Sequence, residues 1–322
     1  MVTGIGLLSG GLDSVLAIKV CQEQGIEMVG ISFVTPFFGA TKAKAVGQQL
    51  AVRLLIVDIT DEHLGIVKHP RYGYGKNMNP CIDCHALMVR VAGRIMEENR
   101  WDFIATGEVL GQRPMSQGAN SLNAVAKESG YEDFLLRPLS AKLLKPTYPE
   151  NNGKIDRNKL LGISGRSRKP QLALAQQYRI TEYSNPAGGC LLTEVLYCRR
   201  LKDLFNQESY SLSDLRLLRY GRHIRLGDKT KIVVGRSQED NEAIAAIVTK
   251  EYITLVASDY PSPLVVVPKS SSADELLLAV RICLAYSDAP AERESEVVVI
   301  SEGRETRLNA TPVDKKSLAL IG

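Results

Sequence analysis

Near the start of the chain, Ser9-Gly10-Gly11-Leu12-Asp13-Ser14 sets two glycines, two hydroxyls and a carboxylate between a strand-like apolar block and an apolar helical run. Glycine lets a backbone approach an anion closely, and the amides and positive end of a helix stabilise negative charge. Ser9, Gly10, Gly11 and Ser14 are therefore expected to cradle phosphate. A carboxylate repels phosphate, which leaves Asp13 to position Mg²⁺ or to order the loop. The segment is not a Walker A loop, because no Gly-Lys-Ser/Thr follows, nor is it a Gly-x-Gly-x-x-Gly dinucleotide fingerprint.

Sulfur carries a second chemistry. Cys81-Ile82-Asp83-Cys84-His85 stands before a long helical run, and Gly188-Gly189-Cys190 supplies a distant third thiol. Haem attachment fits the Cys-x-x-Cys-His spelling but belongs to exported chains. Structural zinc wants a fourth ligand that His85, adjacent to Cys84, is poorly placed to give. A [4Fe-4S] cluster on three cysteines leaves one iron open to bind sulfide. A persulfide carrier instead needs one reactive cysteine, whose thiol a helix N-terminus acidifies. The residues alone leave these readings open. Cys21, Cys198 and Cys283 read as core, and His63, His69 and His223 as surface residues.

These groups need a scaffold. Gly4–Leu8, Met28–Val34, Leu54–Ile59 and Phe103–Thr106 read as strands, separated by helices over Ser14–Gln24, Thr41–Val52 and Ala86–Asn99. That alternation predicts an α/β fold, a doubly wound parallel sheet with its ligands beyond the carboxyl ends of the strands. The loops after Leu8, Val34 and Thr106 then form one site. The second half reads as a smaller α+β domain. The expected division is residues 1–190, a linking helical segment 191–210, and residues 211–322.

The loop Ser9–Ser14 resembles the pyrophosphatase loop of the PP-loop (adenine nucleotide α-hydrolase-like) superfamily, whose members cleave ATP between the α and β phosphates to adenylate a substrate. Thr106-Gly107-Glu108 and Gly111-Gln112-Arg113-Pro114-Met115-Ser116-Gln117 resemble the Thr-Gly-Glu and Gly-Gln…Ser-Gln segments of thiouridine synthases. Asn79-Pro80 ahead of Cys84, with Cys190 far along the chain, resembles the catalytic cysteine pair of 2-thiouridine synthases, and the additional Cys81 resembles the three-cysteine, cluster-dependent thiolases.

The resemblance implies a tRNA uridine sulfurtransferase that binds ATP and Mg²⁺, adenylates the base, replaces its carbonyl oxygen with sulfur, and releases pyrophosphate and AMP. It implies a [4Fe-4S] cluster on Cys81, Cys84 and Cys190, with Cys84, Cys190 and Asp13 in catalytic roles. It also implies that Ser32, Phe33, Thr106, Gly107, Gln112 and Arg113 join the phosphate loop around ATP. No sulfur-donor segment is visible, so sulfur must arrive from outside, as sulfide or on a carrier loaded by a cysteine desulfurase.

Tyr220-Gly221-Arg222-His223-Ile224-Arg225, Lys231–Ser237 and Val265–Lys269 resemble the NFACT-type RNA-binding domain. Arg222, Arg225, Lys231 and Arg236 flank glycines, which permits phosphate contact without base readout. The net charge of +4 is too small to prove such a partner, but basic residues crowd Arg199–Arg236. No apolar run approaches the roughly 20 residues of a membrane span, and no export signal opens the chain, so a cytoplasmic protein without membrane contact is expected. Whether it is a homodimer stays open. The rival readings are a PP-loop amide or amidine synthase with structural zinc, and a non-catalytic RNA-binding protein.

Overall fold

In the computed structural model, which describes residues 1–184 and 189–321, the chain divides into two units, Met1–Thr193 and Glu194–Gly322. Residues 191–210 are shared between them: the short turn Leu191–Thr193 belongs to the first unit and the helix that follows to the second. Asn185–Gly188, expected as a loop, lie outside the described residues.

In the first unit, β1 (Thr3–Leu7), β2 (Glu27–Val34), β3 (Leu54–Asp58), β4 (Phe103–Ala105) and β5 (Leu135–Leu136) form one parallel sheet in the order β3-β2-β1-β4-β5. Helices α1 (Leu12–Gln22), α2 (Thr41–Gln49), α3 (Thr60–Lys68), α4 (Cys81–Glu98), α5 (Ala119–Ser129), α6 (Tyr148–Asn151) and α7 (Lys169–Gln177) connect and cover it. Leu16, Val46 and Ala175 pack one apolar cluster, from α1, α2 and α7; Leu87, Val91 and Val125 pack another, from α4 and α5, against Ile5 and Ile104. Central strands covered on both faces read as continuous apolar runs, which is why the pattern is visible in sequence. The α/β class is as expected. One boundary differs: α4 begins at Cys81 rather than near Ala86, so both cysteines lie inside its first turn, three residues apart on one face.

The second unit adds α8 (Val195–Phe205), α9 (Leu212–Leu217), β6 (Arg222–Arg225), β7 (Lys231–Val234), α10 (Gln238–Ala245), β8 (Tyr252–Ala257), β9 (Val265–Pro268), α11 (Ala273–Ala285), β10 (Ser295–Ser301), β11 (Arg304–Ala310) and β12 (Ala319–Leu320). Its strands form an antiparallel sheet in the order β11-β10-β8-β9-β7-β6-β12. On one face Val280, Cys283 and Leu284 of α11 pack on Ile224, Leu255 and Val297; on the other, Ile244 of α10 meets Val233 and Val266. Ser272 and Glu275 form a capping box that starts α11, a device typically worth about 1 kcal/mol per cap. Among the described residues no helix is long and apolar enough to cross a membrane.

Candidate functional site

The strand order of the first sheet reverses direction at β1 and β4, so the loops that leave these neighbours meet beyond their carboxyl ends. Gly107, just after β4, touches the phosphate loop directly: a Cβ there would lie 2.4 Å from the Ser14 amide nitrogen and 2.5 Å from the Asp13 carbonyl carbon. Gly10 adopts φ 81°, a left-handed conformation that glycine takes without strain. Gly11 is the N-cap of α1 and contributes no side chain, which leaves the amides at the helix start to an anion. The Ser14 hydroxyl donates to the Gly11 carbonyl at 2.7 Å, and Ser9 lies 3.3 Å from it.

Asp13 is held from the side. Gln112 Nε2 donates to its Oδ2 at 2.7 Å, and Gln112 Oε1 accepts from Gln171 Nε2 at 2.8 Å. Asp13 Oδ1 is buried, and among the described residues no donor reaches it. A buried carboxylate oxygen without a donor is an arrangement that a cation relieves. Gln112, expected to touch ATP or the base, instead spends both ends of its amide on positioning Asp13.

The residue after Gly107 builds the bridge to the cysteines. Glu108, 3% exposed, receives Arg137 Nε on Oε2 at 2.8 Å and faces His85 Nδ1 across Oε1 at 2.9 Å; Thr106 Oγ1 reaches Oε2 at 3.2 Å. Burial alone would raise its pKa, but the Arg137 charge and the bonds from His85 and Arg137 outweigh it and hold the carboxyl down to about 2. An ionised carboxylate only accepts, so His85 carries its proton on Nδ1. Neither Arg137 nor Gln171 stands in any motif, and both follow from tertiary contact alone.

Cys84 is buried and Cys81 half-buried. Burial, then the nearby Cys190 and Cys81, push the Cys84 thiol well above its ordinary value, so the acidification expected from a helix N-terminus is overcome. Cys84 is thus the thiol on which the charges of the other two act. Cys81 is also raised, mainly by burial, with Arg113 acting against it. The segment around Cys190 is pinned on both sides. Ser184 N donates to the Gly10 carbonyl at 2.8 Å, Leu191 N to the Phe37 carbonyl at 3.0 Å, and Asn77 Nδ2 to the Thr193 carbonyl at 2.7 Å. Among the described residues, no three His, Cys, Asp or Glu side chains are gathered as a group able to hold a metal ion.

Other expected residues fall elsewhere. Ser32 is buried in β2, and Phe33 packs with Ile5, Ile31 and Ile104 in the core, because both faces of this strand are covered. His63 is fully buried between Phe37 and Phe38, at ring distances of 5.5 and 5.3 Å, and burial lowers its pKa to about 4. His223 is likewise buried and donates to the Tyr220 carbonyl at 3.1 Å. Only His69 of these three is at the surface.

In the second unit, Arg225 pairs with Asp203 at 2.5 Å and Lys231 approaches the same carboxylate at 3.6 Å, their side chains 18% and 11% exposed. They brace α8 against the sheet, which withdraws them from the expected phosphate contacts. Arg236 is exposed and tied to Asp240 at 2.7 Å. Arg222 lies over the Tyr286 ring, 5.1 Å from its centre.

Residues 2–142 match the family model for thiamine biosynthesis protein (ThiI), and residues 221–319 that for the NFACT protein RNA binding domain. Three solved structures are similar in part. A 4-thiouridine synthetase, in complex with RNA and with bound ATP, is 26% identical at a TM-score of 0.37, over 43% of this chain and 37% of that one. A predicted subunit of tRNA methyltransferase from Methanocaldococcus jannaschii is 13% identical at 0.40, over 66% and 91% of the two chains. The C-terminal part of the fibronectin/fibrinogen-binding protein from Streptococcus suis is 13% identical at 0.27, over 80% and 96%.

Proposed function

We propose that this chain, which joins a PP-loop unit matching the ThiI family to a unit matching the NFACT RNA-binding domain, is an ATP-dependent tRNA uridine sulfurtransferase. The observation that carries the reading is one continuous path of contacts: the phosphate loop at Ser14, Gly107 against it, Glu108 next in chain, His85 bonded to Glu108, and Cys84 beside His85. A loop built for ATP and a thiol site thus share one sheet edge. The amide or amidine synthase reading gives the thiols no part in the reaction, and the non-catalytic reading gives no use to the buried Asp13 oxygen.

In this mechanism the amides from Gly10 to Ser14 hold the phosphates of ATP, and a uridine carbonyl oxygen attacks the α-phosphorus while pyrophosphate leaves. Adenylation is needed because a carbonyl oxygen is otherwise a very poor leaving group. Sulfide then adds to the activated carbon, loses its proton, and AMP departs with the carbon–oxygen electron pair. Oriented donors at the helix start stabilise the charge that builds on phosphate. Asp13, steered by Gln112, would hold Mg²⁺ through its open Oδ1; the ion supplies charge neutralisation at the phosphates. His85, fixed through Nδ1, leaves Nε2 to exchange a proton with sulfide or substrate.

Cys81 and Cys84, three residues apart on one helical turn, and Cys190 are soft donors of the kind a [4Fe-4S] cluster takes, and they would hold it; bound there, it would supply an iron site for sulfide. A second reading uses only Cys84 and Cys190, without need of Cys81. In it, Cys84 or Cys190 carries sulfur as a persulfide, delivers it to the adenylated carbon, and the other cysteine closes a disulfide that an external reductant reopens. Release of pyrophosphate from ATP in the presence of tRNA tests the shared part of both. Asp13→Asn is expected to abolish it with the fold intact, and undiminished release would remove the assignment.

A further inference from the structure

The second unit contains a cavity of about 440 Å³ whose lining includes Arg222, Arg236, Ser237, Asn241, Tyr286 and Lys315, and among the described residues no carboxylate forms its wall. That volume falls in the range of small-ligand sites and suits a single nucleotide; a helical duplex cannot enter it. Two cations share one ring there: the Arg222 guanidinium and the Lys315 ammonium each lie 5.1 Å from the centre of Tyr286. The ring attracts both, and an anion entering the cavity that they line would be attracted by each. Arg236 already has a counter-charge in Asp240, whereas among the described residues no carboxylate pairs with Arg222 or Lys315, which leaves these two to a ligand. Ser237, the N-cap of α10, and Asn241 add polar side chains to the same lining.

We propose that this cavity receives the phosphate of one unpaired nucleotide of RNA, with Arg222 and Lys315 as a charge pair that Tyr286 keeps in place. The proposal rests on the RNA-binding reading of this unit and narrows it from a basic surface to a pocket. It also separates roles within the basic residues: Arg225 and Lys231 hold the domain together, while Arg222 and Lys315 hold the ligand.

Binding of the full chain to a tRNA transcript, a single-stranded oligonucleotide and a duplex of equal length tests it. Lys315→Ala, at an exposed turn, and Tyr286→Leu are expected to weaken single-strand and tRNA binding about tenfold and to lower the salt slope by about 0.7 for each phosphate no longer neutralised. Tyr286→Phe keeps the ring and is expected to bind like the parent. Duplex binding should be unchanged. Uridine 5′-monophosphate should compete for the site if the phosphate of a lone nucleotide suffices; competition by the oligonucleotide alone would show that the flanking chain is required, and both results support the pocket. Equal weakening for single strand and duplex would reduce the residues to general surface charge and overturn the proposal. So would a normal affinity in Lys315→Ala together with Tyr286→Leu. If the parent chain binds none of the RNAs, the RNA-binding reading itself falls, a result distinct from either.

Discussion

Glu108 faces His85 across 2.9 Å, joining the residue that follows the loop-touching Gly107 to the turn that carries Cys81 and Cys84. The same carboxylate neutralises Arg137, whose side chain is 7% exposed. Glu108→Gln keeps the shape but strands that guanidinium, so a loss of about 3–5 kcal/mol in chemical denaturation is expected. The sign of its pH effect follows from a pKa near 2 in the fold against an ordinary 4.5. The stabilisation is complete above pH 4.5 and is lost as pH falls toward 2, so the parent should lose stability through that window and the variant should not. Parallel acid limbs in the two proteins would contradict this.

His63 gives a second acid limb at higher pH. Its ring is buried against Phe37 and Phe38 with neither nitrogen hydrogen-bonded among the described residues, and its pKa drops from 6.5 to about 4. The neutral ring is favoured in the fold, so stability should fall as pH drops from 6.5 toward 4, by on the order of 3 kcal/mol. His63→Phe should be neutral at pH 8 and flat across that range, as read by melting curves at successive pH.

Gly107→Ala places a methyl group where only 2.4 Å separates it from the Ser14 amide nitrogen. Backbone cannot yield as a flexible side chain does, so the phosphate loop must shift. Pyrophosphate release is expected to fall at least about 100-fold, since misplacement of about 1 Å costs that much, while the melting transition stays cooperative. Normal release would mean that the close approach has no bearing on ATP.

Cys81 separates the two sulfur chemistries. With a cluster on three thiolates, Cys81→Ala, Cys84→Ala and Cys190→Ala should each lose iron, acid-labile sulfide and thiolation, and all should still bind ATP. With a persulfide, Cys81→Ala should stay active and the other two should be dead. Zinc in a colourless parent prepared without oxygen would contradict both.

Much of the first unit is legible because its strands are covered on both faces and its helices on one, so apolar runs and periodicity report burial directly. The expected strands Met28–Val34 and Leu54–Ile59 each differ by one residue from β2 and β3 for that reason. β6 is missed because Arg222, His223 and Arg225 disguise a strand; Arg225 and His223 face groups that only the folded chain provides, Asp203 and the Tyr220 carbonyl. His63 misleads in the same way, since a polar residue type hides a core position. Of the site, the short motifs mark Asp13, Gly107, Cys81, Cys84 and Cys190, but Gln171, Arg137 and Ser184 act through contacts across long chain separations and carry no local signal. Phe33 misleads because proximity to a strand end does not say which side of the sheet a ring enters.

The central claim is that one site spends ATP to put sulfur on a tRNA base. Chain prepared without oxygen, then incubated with unmodified tRNA, ATP, Mg²⁺ and sulfide, should yield thiouridine on nucleoside mass spectrometry in equal amount to pyrophosphate, and none when ATP is omitted. Pyrophosphate without thiouridine under any sulfur source, or thiouridine without ATP, would contradict the account.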